Sequence, residues 1–556
     1  MPGVRIKRAL ISVHDKTNVE RFGRGLARLG VEILSTGGTA RLLTDAGVDV
    51  TLVEQVTGAP EMLDGRVKTL HPVIHAAILA DRQNPAHMQQ LADHGIEPID
   101  LVVCNLYPFE SVVAQPDCSF ADAIENIDIG GPTMVRAAAK NHRGVLIVCT
   151  PRDYPLLLDH LERNDCVIDS DDPIRLTLAH HAFNLVWLYN RAISRYFFGQ
   201  LLRRRGGVEA PEAESADEGL PPELDMFLAR KQKLRYGENP HQSGALYLSG
   251  APVAGTIANA RQIGGMGMSF INYLDAHAAL ELVRDLGQLP SPSAAVIVKH
   301  ASPCGAAVDD DPVEAYRRAY LSDPVAAMGG ILAINTPVDL RLAEAVVDSY
   351  ANWGKAAGAG GFLLHVWVAP AFDDDAVKLI TERKAWGKDV RLLAVGPIAA
   401  DFDQTDLDVK PLGQAVLVQA VDNQPISSET WQVITRREPT EAEMVDLRFA
   451  WLVCKHVKSN AIVIAKERAL AGAGAGQTSR VMSCRIAAEL AGERAKGAVA
   501  ASDAYFPFPD GPAALVEAGV TAIVQPGGSK GDQATIDFCN EHDVAMVFTG
   551  TRHFLH

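Results

Sequence analysis

Apolar and polar positions alternate regularly along the first part of the chain. Residues 8–15 form a short apolar run that ends in polar residues, as is typical of a buried strand. The next apolar positions recur at helical spacing: Val19, Phe22, Leu26 and Leu29. They predict an amphipathic helix that ends at Gly30. A second apolar run, 31–34, leads into a glycine turn that opens another helix, and this order predicts a parallel α/β sheet with helices on its faces.

The pattern continues up to an abrupt change in composition. Apolar runs at 100–107 and 144–150 extend the predicted sheet, and a helical stretch follows near 175–203. Residues 206–222 contain five acids, no base and no aromatic residue, so this segment is predicted to be a linker. It separates a domain at 1–205 from a second α/β domain at 223–556, in which we find no internal repeat of fixed period. Predicted strands of the second domain lie at 293–300, 459–466 and 521–527.

Composition narrows the functional classes. A chain of 556 residues with 47% hydrophobic and 22% charged residues is globular and too long for one core. Its net charge of −16 argues against a nucleic-acid partner, because phosphate backbones require a basic face. The eight cysteines are scattered without a C-x-x-C pair, which indicates reduced thiols and a cytoplasmic location. No apolar run approaches the ~20 residues of a membrane helix, and the first residues lack the apolar core of a secretory signal.

Three stretches of the first domain carry candidate chemistry. Gly37 and Gly38 lie between a strand and a helix, where backbone N–H groups and the hydroxyl of Thr39 could hold an anion. Arg66 and Lys68 flank one valine, so both cations project from the same side of an extended segment. The glycine turn alone is equally compatible with a tight βα turn that has only a steric reason, and an isolated R-x-K is more often a solvated charged loop.

The third stretch runs from 127 to 142. Asp128 precedes a Gly-Gly-Pro turn that starts a helix, and Lys140 follows three alanines on that helix. Packing among small residues would bury the Lys140 amine and lower its pKa, which would suit an acid–base role. A surface lysine is the alternative.

Taken in order, the segments SVHDK, STGGT, EMLDGRVKTLHP, CNLYPF and IDIGGPTMVRAAAKNH resemble the cyclohydrolase half of the bifunctional AICAR transformylase/IMP cyclohydrolase family. The resemblance implies that Lys140 moves protons, that Lys68 and Tyr107 stabilise an oxyanion, and that Asp128 orients the substrate carboxamide. It also implies a set of substrate-binding residues: Ser12, His14, Lys16, Thr36, Gly37, Gly38, Thr39, Arg66, Val67, Thr69, Asn105 and Ile129.

The second domain has motifs of its own. Arg235 and Tyr236 precede a Gly and a Pro and are therefore expected in a turn. Lys299 and His300 end the apolar run at 293–300, which we interpret as a buried parallel strand; ligands of α/β folds bind at such strand ends. With CKHVKSNAIVIAK, GAGAGQTSR, SDAYFPF and TGTRHFLH, this half resembles the transformylase half of the same family.

This second resemblance implies a fold, a reaction and a partner. The fold would be a methylglyoxal-synthase-like parallel α/β domain followed by a larger cytidine-deaminase-like α/β region. His300 would be the base and Lys299 would stabilise the oxyanion in formyl transfer from 10-formyltetrahydrofolate, in a site shared by the two subunits of a homodimer. The implied AICAR-binding residues are Arg235, Tyr236, Asn272, Gly329, His365, Asn460 and Arg480. The implied folate-binding residues are Val481, Tyr505, Ser529, Lys530 and Arg552.

Two positions depart from the family pattern, and two rival functions stay open. Met328 stands where the family often has Phe, and His365 where an acidic residue is expected. The first domain could be a regulatory phosphate-binding module, but Lys68, Asp128 and Lys140 together favour catalysis, since pure binding needs no carboxylate facing an amide. The second could be a zinc-free nucleotide deaminase, which, unlike a transformylase, would not require the folate. No H-x-E followed by P-C-x-x-C occurs, so no catalytic metal is expected.

Overall fold

The computed structural model divides into two compact units, Met1–Pro222 and Glu223–His556. It describes residues 3–60, 62–63, 67–204, 220, 224, 226–250, 252–399, 407–424, 426 and 428–556. Of the predicted linker at 206–222, only Leu220 is among these residues. Within the described ranges, no helix is both long enough and apolar enough to cross a membrane.

The first unit alternates short strands with helices. Its strands are β1 (Val4–Arg5), β2 (Arg8–Ser12), β3 (Glu32–Ser35), β4 (Val50–Leu52), β5 (Leu101–Cys104), β6 (Leu146–Val148) and β7 (Val167–Ile168). Its helices are α1 (Val19–Arg28), α2 (Gly37–Asp45), α3 (Val53–Thr57), α4 (Pro72–Leu79), α5 (Pro85–Asp93), α6 (Phe109–Val113), α7 (Phe120–Glu125), α8 (Gly130–Lys140), α9 (Tyr154–Arg163) and α10 (Pro173–Arg204), with a 3-10 turn at Pro151–Asp153.

A sheet with the strand order β4-β3-β2-β5-β6 lies at the centre of this unit, and all neighbouring strands in it are parallel. The predicted helical face of α1 is confirmed, because Val19, Phe22 and Leu26 are fully buried in the same apolar core as the sheet. The predicted parallel α/β architecture is therefore confirmed. Since the strands are parallel, the carboxyl ends of β2, β3 and β5 meet at one edge.

The second unit is larger. Its strands are β8 (Ala229–Lys233), β9 (Ala245–Leu248), β10 (Arg261–Gly264), β11 (Ser293–Lys299), β12 (Ser302–Asp309), β13 (Gly330–Ile334), β14 (Leu364–Ala369), β15 (Arg391–Ala394), β16 (Leu407–Leu412), β17 (Ala415–Ala420), β18 (Gln432–Val433), β19 (Ile462–Lys466), β20 (Ala469–Gly474), β21 (Val499–Ser502), β22 (Ala522–Gln525) and β23 (Ala545–Phe548). Its helices are α11 (Phe270–Leu286), α12 (Pro312–Ser322), α13 (Leu340–Val347), α14 (Asp374–Arg383), α15 (Glu441–Lys455), α16 (Arg480–Ala491), α17 (Asp510–Glu517) and α18 (Asp532–Glu541). Shorter helical turns lie at Ile257–Asn259, Tyr350–Gly354, Ser428–Thr430 and Gly492–Ala495.

Twelve strands among the described residues form one sheet, in the order β10-β15-β14-β13-β11-β12-β20-β19-β21-β22-β23-β18. Successive residues of β11 enter different apolar clusters: Val296 packs in the cluster that includes α11 and α15, and Ile297 packs in the cluster that includes α12 and α13. This alternation is that of a strand buried on both faces. Helices therefore cover both faces of the sheet.

The sheet is built from two halves with the same pattern. In the first half a helix, α11, precedes the antiparallel pair β11–β12, and β13, β14 and β15 follow as parallel neighbours. In the second half, α15 precedes the antiparallel pair β19–β20, and β21, β22 and β23 follow in the same way. The halves join through β12 and β20. The repeat cannot be recognised from a fixed sequence period, because the loops between equivalent elements differ in length.

The strand before Lys299 exists, but the prediction that it pairs in parallel with its neighbours is wrong. Strand β11 is antiparallel to both of its neighbours, β12 and β13, so Lys299 and His300 lie at a hairpin turn and not at a parallel strand end. The edge of the sheet at which β11 ends is called the upper edge here. From the pairing directions, β13, β14 and β15 begin at the upper edge, and β21, β22 and β23 end there.

Candidate active sites

In the first unit, a cradle for an anion lies where β3 passes into α2. Gly37 has a φ of +56°, which turns the chain into the helix. A Cβ atom added at Gly37 would lie 3.5 Å from Nζ of Lys68, and one added at Gly38 would lie 3.3 Å from Nζ of Lys16. Two ammonium groups therefore stand over the positive end of a nine-residue helix, an arrangement suited to a phosphate.

The predicted hydroxyl donors of this turn have other partners. The Thr39 hydroxyl donates to the Val13 carbonyl at 3.0 Å and accepts the Val13 N–H at 3.3 Å, so it fixes the loop after β2. The Thr36 hydroxyl donates to Glu54 at 3.4 Å. Both residues are buried. The Thr39 hydroxyl is thus engaged with the backbone of Val13, and its donation to a ligand stays a prediction.

Asn105, which follows β5, also fixes that loop. Its Oδ1 accepts the backbone N–H groups of His14 at 2.6 Å and of Asp15 at 3.0 Å, and its Nδ2 donates to the Asp15 carbonyl at 2.9 Å. With its amide engaged on both sides, Asn105 holds His14 in place. Ser12, the last residue of β2, opens the same loop.

Asp128 lies at the amino end of α8, beside the cradle. Its Oδ1 accepts the Gly131 N–H at 2.8 Å. Burial raises the pKa of the Asp128 carboxyl, while the N–H groups of Gly131, Tyr107 and Gly130 and the charge of His14 oppose that rise. The ring of Tyr107 lies 5.1 Å from that of His14 and is half exposed.

The segment 67–69 joins this group to the cradle. A Cβ atom at Gly130 would lie 3.2 Å from the Thr69 hydroxyl, directly after Lys68. Val67 forms an isolated bridge with Met62, and Ile129 is 60% exposed next to Asp128. Arg66 lies outside the described residues.

Lys140 does not join this group. It is the last residue of α8, whereas Asp128 precedes the first residue, and ten residues of helix span about 15 Å. The predicted burial is also wrong: Ala137, Ala138 and Ala139 are buried, but Lys140 is exposed. Consecutive helical residues point about 100° apart, so buried neighbours in the sequence do not bury the next side chain.

In the second unit, His300 and Ala301 form the two-residue turn between β11 and β12. Both have a φ of +55°, so the turn carries two left-handed residues without a glycine. The Lys299 ammonium donates to the Met328 carbonyl at 3.1 Å, and Oδ1 of Asp275 accepts the Ala301 N–H at 2.6 Å. The turn therefore presents an amine and an imidazole at the upper edge.

His365 lies in the same place, near the start of β14. A Cβ atom at Gly329 would lie 3.4 Å from its Cε1. Although part of His365 faces solvent, burial of the rest lowers the pKa of its imidazole, and the charges of Arg391 and Lys299 lower it further. The Arg391 guanidinium also donates to the His365 carbonyl at 3.2 Å.

Arg235 and Tyr236 border this group in the loop between β8 and β9, as predicted. The Arg235 guanidinium lies 5.5 Å from the Tyr236 ring centre. It is also close enough to Arg391 for the two positive charges to repel each other. Asn272 is engaged elsewhere, since its side-chain oxygen accepts the Ser269 N–H at 3.1 Å in the capping box of α11.

A second group lies further along the upper edge. Arg480 donates to Oδ1 of Asn460 at 2.7 Å and to the Ser502 hydroxyl at 2.9 Å, and it pairs with the buried carboxylate of Asp503. The hydroxyl of Ser459 donates to the same carboxylate. The predicted pair Asn460–Arg480 is thus brought together.

The predicted folate residues lie on segments at the same edge of the sheet as this second group. Val481 follows Arg480 on α16, Tyr505 follows β21, Ser529 and Lys530 follow β22, and Arg552 follows β23. Since β21, β22 and β23 are parallel neighbours, their following loops lie at one edge. The Arg552 guanidinium stacks 4.2 Å from the Phe554 ring, and Tyr505 is 42% exposed.

Three charged residues of these groups are not among the predicted site residues: Asp275, Arg391 and Asp503. Asp275 lies mid-helix, Arg391 begins a strand, and Asp503 follows one. Their common signal is a charged residue next to apolar runs. Among the described residues, no group of three or more His, Cys, Asp or Glu side chains could hold a metal ion.

Comparison with known proteins places the chain. A model of the AICARFT/IMPCHase bienzyme family matches residues 138–490, more than half of the chain and part of both units. The chain is 46% identical over 564 residues to the "Bifunctional purine biosynthesis protein PurH" of Magnetococcus marinus, covering 99% of this chain and all of that relative. The chain belongs to the AICARFT/IMPCHase bienzyme family. Membership confirms the predicted family and function, a bifunctional enzyme of purine biosynthesis.

Two further similarities concern parts of the chain. Residues 18–133 match a model of the MGS-like domain, which confirms the predicted methylglyoxal-synthase-like fold of the first unit. The solved structure titled "Crystal structure of ForH" is 37% identical and covers 34% of this chain and 98% of its own, with a TM-score of 0.32. The cytidine-deaminase-like character of the second unit stays a prediction.

Proposed function

We propose that the two units catalyse consecutive reactions of the family: transfer of a formyl group from 10-formyltetrahydrofolate to the 5-amino group of AICAR, then dehydrative closure to IMP. We assign ring closure to the residues up to 205 and formyl transfer to those from 223. The observation that carries this assignment is that each unit has its own group of cations and acid–base side chains: Lys16, Lys68 and Asp128 in the first, Lys299 and His300 in the second.

Formyl transfer needs help at both reacting atoms. The amine is a poor nucleophile because the imidazole ring and carboxamide withdraw its electron pair. His300 takes the proton from the amine as the new C–N bond forms, and Lys299 stabilises the oxyanion on the formyl carbon. The bond from that carbon to N10 of the folate then breaks, and the proton passes to the leaving nitrogen. Arg235, Tyr236 and Gly329 would hold the nucleotide.

Ring closure is intramolecular, so positioning supplies much of its rate. The substrate phosphate would lie on the cradle of Gly37 and Gly38 with the ammonium groups of Lys16 and Lys68. Asp128 would orient the carboxamide, whose nitrogen attacks the formyl carbon before water leaves. Tyr107, half exposed beside His14, would steady the oxyanion. Lys140 has no part in this proposal, because it lies at the far end of α8.

The spacing along the sheet supports a site shared by two subunits. His365 is on β14 and the folate loops follow β21, β22 and β23. Seven strand spacings of ~4.8 Å separate β14 from β22, or roughly 34 Å. We infer that the group around His300 and His365 in one subunit meets the predicted folate-binding loops of another subunit in a homodimer. A cytoplasmic location stays a prediction.

Two variants test the assignment. His300→Ala should lower formyl transfer by ~10²–10⁴-fold and leave closure of synthetic formylated AICAR unchanged. Lys68→Ala should do the reverse, so that formylated AICAR accumulates. Loss of both activities in either variant would mean that the units do not act separately. Wild-type formyl transfer by His300→Ala would refute its role as the base.

A further inference from the structure

The second unit contains two hairpin turns of the same construction. His300–Ala301 joins β11 to β12, and Glu467–Arg468 joins β19 to β20. All four residues have left-handed φ angles between 53° and 59°. Such turns favour Asn and Gly, because a side chain is strained in this region. Neither turn contains either residue, so each requires support from outside.

An aspartate on the preceding helix supports each turn. Asp275 of α11 accepts the Ala301 N–H at 2.6 Å, and the His300 N–H also stabilises its charge. Asp446 of α15 accepts the N–H groups of Glu467 and Arg468, both at 2.7 Å. Each aspartate lies six residues after the residue that caps its helix, Ser269 or Thr440. The two supports are equivalent parts of the repeated half.

Only the first turn carries catalytic groups. Lys299 and His300 lie there at the upper edge, whereas the second turn lies at the opposite edge, where β19 ends. Asp275 is buried, at 4% exposure, and burial raises the pKa of its carboxyl, while the N–H groups of the turn and the positive charges that His300 and His365 carry when protonated oppose that rise. We propose that Asp275 is a positioning residue of the transformylase: it holds the His300–Ala301 turn so that imidazole and ammonium face the same ligand.

The inference rests on the proposed role of His300 as the base. Burying a carboxylate to hold a turn costs free energy, because desolvation disfavours its charge. An asparagine oxygen could accept the same N–H bond at that position. Replacement by Asn therefore keeps the support of the turn and removes the charge, while replacement by Ala removes both.

The experiment compares Asp275→Ala, Asp275→Asn and the matched control Asp446→Ala in the full-length protein. Steady-state kcat and KM for AICAR are measured with 10-formyltetrahydrofolate, and closure of formylated AICAR by the same preparations reports on the fold of the first unit. We expect Asp275→Ala to lower kcat about 100-fold with KM within a few-fold. The kcat of Asp275→Asn should be at least tenfold higher than that of Asp275→Ala. Asp446→Ala should keep kcat within a few-fold of wild type.

Three results would overturn the proposal: wild-type kcat in Asp275→Ala, equal losses in Asp275→Ala and Asp446→Ala, or an Asn variant no better than the Ala variant. If Asp275→Ala does not fold, Asp275→Asn decides, and a loss beyond tenfold in its kcat counts against the proposal. A His300→Ala variant measured alongside separates the two hypotheses. If it is active, the proposed function fails; if it is inactive while Asp275→Ala is active, only the positioning role fails.

Discussion

Filling the anion cradle should separate stability from activity in the first unit. Gly38 is the second residue of α2, and its φ lies outside the left-handed region, so alanine fits the backbone there. Alanine favours the helix over glycine by up to about 1 kcal/mol. Its Cβ would lie 3.3 Å from Nζ of Lys16, which is a flexible side-chain end that can shift at little cost. Gly38→Ala should therefore unfold at the same temperature as the wild type or slightly higher.

The same methyl group takes up space that a phosphate needs. It would lie 3.3 Å from the Lys16 ammonium at the first turn of α2, where we expect a phosphate oxygen to accept from the ammonium and from the helix N–H groups. Losing one charge-assisted hydrogen bond costs about 1.5–3 kcal/mol. We therefore expect KM for formylated AICAR to rise by about 10- to 100-fold. Formyl transfer, measured on AICAR, should not change.

The assay follows ring closure of synthetic formylated AICAR, with thermal unfolding on the same samples. Gly47→Ala is the control for strain, since Gly47 has a φ of +76° and its Cβ would meet no atom within 4 Å. That variant should lose about 1–2 kcal/mol of stability and keep its KM. An unchanged KM in Gly38→Ala, or equal KM effects in both variants, would show that the cradle does not hold the phosphate.

Two further predictions concern the residues at the two ends of α8, Asp128 and Lys140. Lys140→Ala should keep ring closure within a few-fold of wild type in the same assay, since its amine is a helix length from Asp128; a loss beyond 100-fold would restore the catalytic role that the sequence predicts. Burial raises the pKa of Asp128, so its contribution to stability is complete below the unfolded pKa of ~3.9 and is lost as pH rises through the folded value. Asp128→Asn should therefore keep or raise the unfolding temperature at pH 7.5 while ring closure falls ~10²-fold or more; closure at the wild-type rate would refute its role.

How far the sequence predicts the molecule depends on the range of the interactions involved. The strands and α1 of the first unit follow from local periodicity, because one buried face repeats within a few residues. The sequence does not predict the hairpin after β11, because His300 and Ala301 stand where such turns usually have Asn or Gly. Its support comes from Asp275, which lies on a helix 26 residues before Ala301, and no local pattern connects the two.

The site residues show the same limit. The family motifs name Lys68, Asp128 and Lys299 as site residues although no local pattern connects them, and their roles stay predictions. Reasoning from neighbours failed at Lys140, where three buried alanines stand beside an exposed lysine. Side-chain partners were likewise beyond the sequence: the Thr39 hydroxyl and the Asn105 amide bind the loop after β2, which only the folded chain brings to them.

We propose that one chain converts AICAR to IMP through a formylated intermediate. The most direct test incubates the purified full-length protein with AICAR, with and without 10-formyltetrahydrofolate, and measures IMP and tetrahydrofolate over time. We expect one tetrahydrofolate to be released for each IMP formed, and no AICAR to be consumed without the folate. Consumption of AICAR in its absence would indicate a deaminase, and formylated AICAR accumulating as the end product would leave the first unit without its proposed activity.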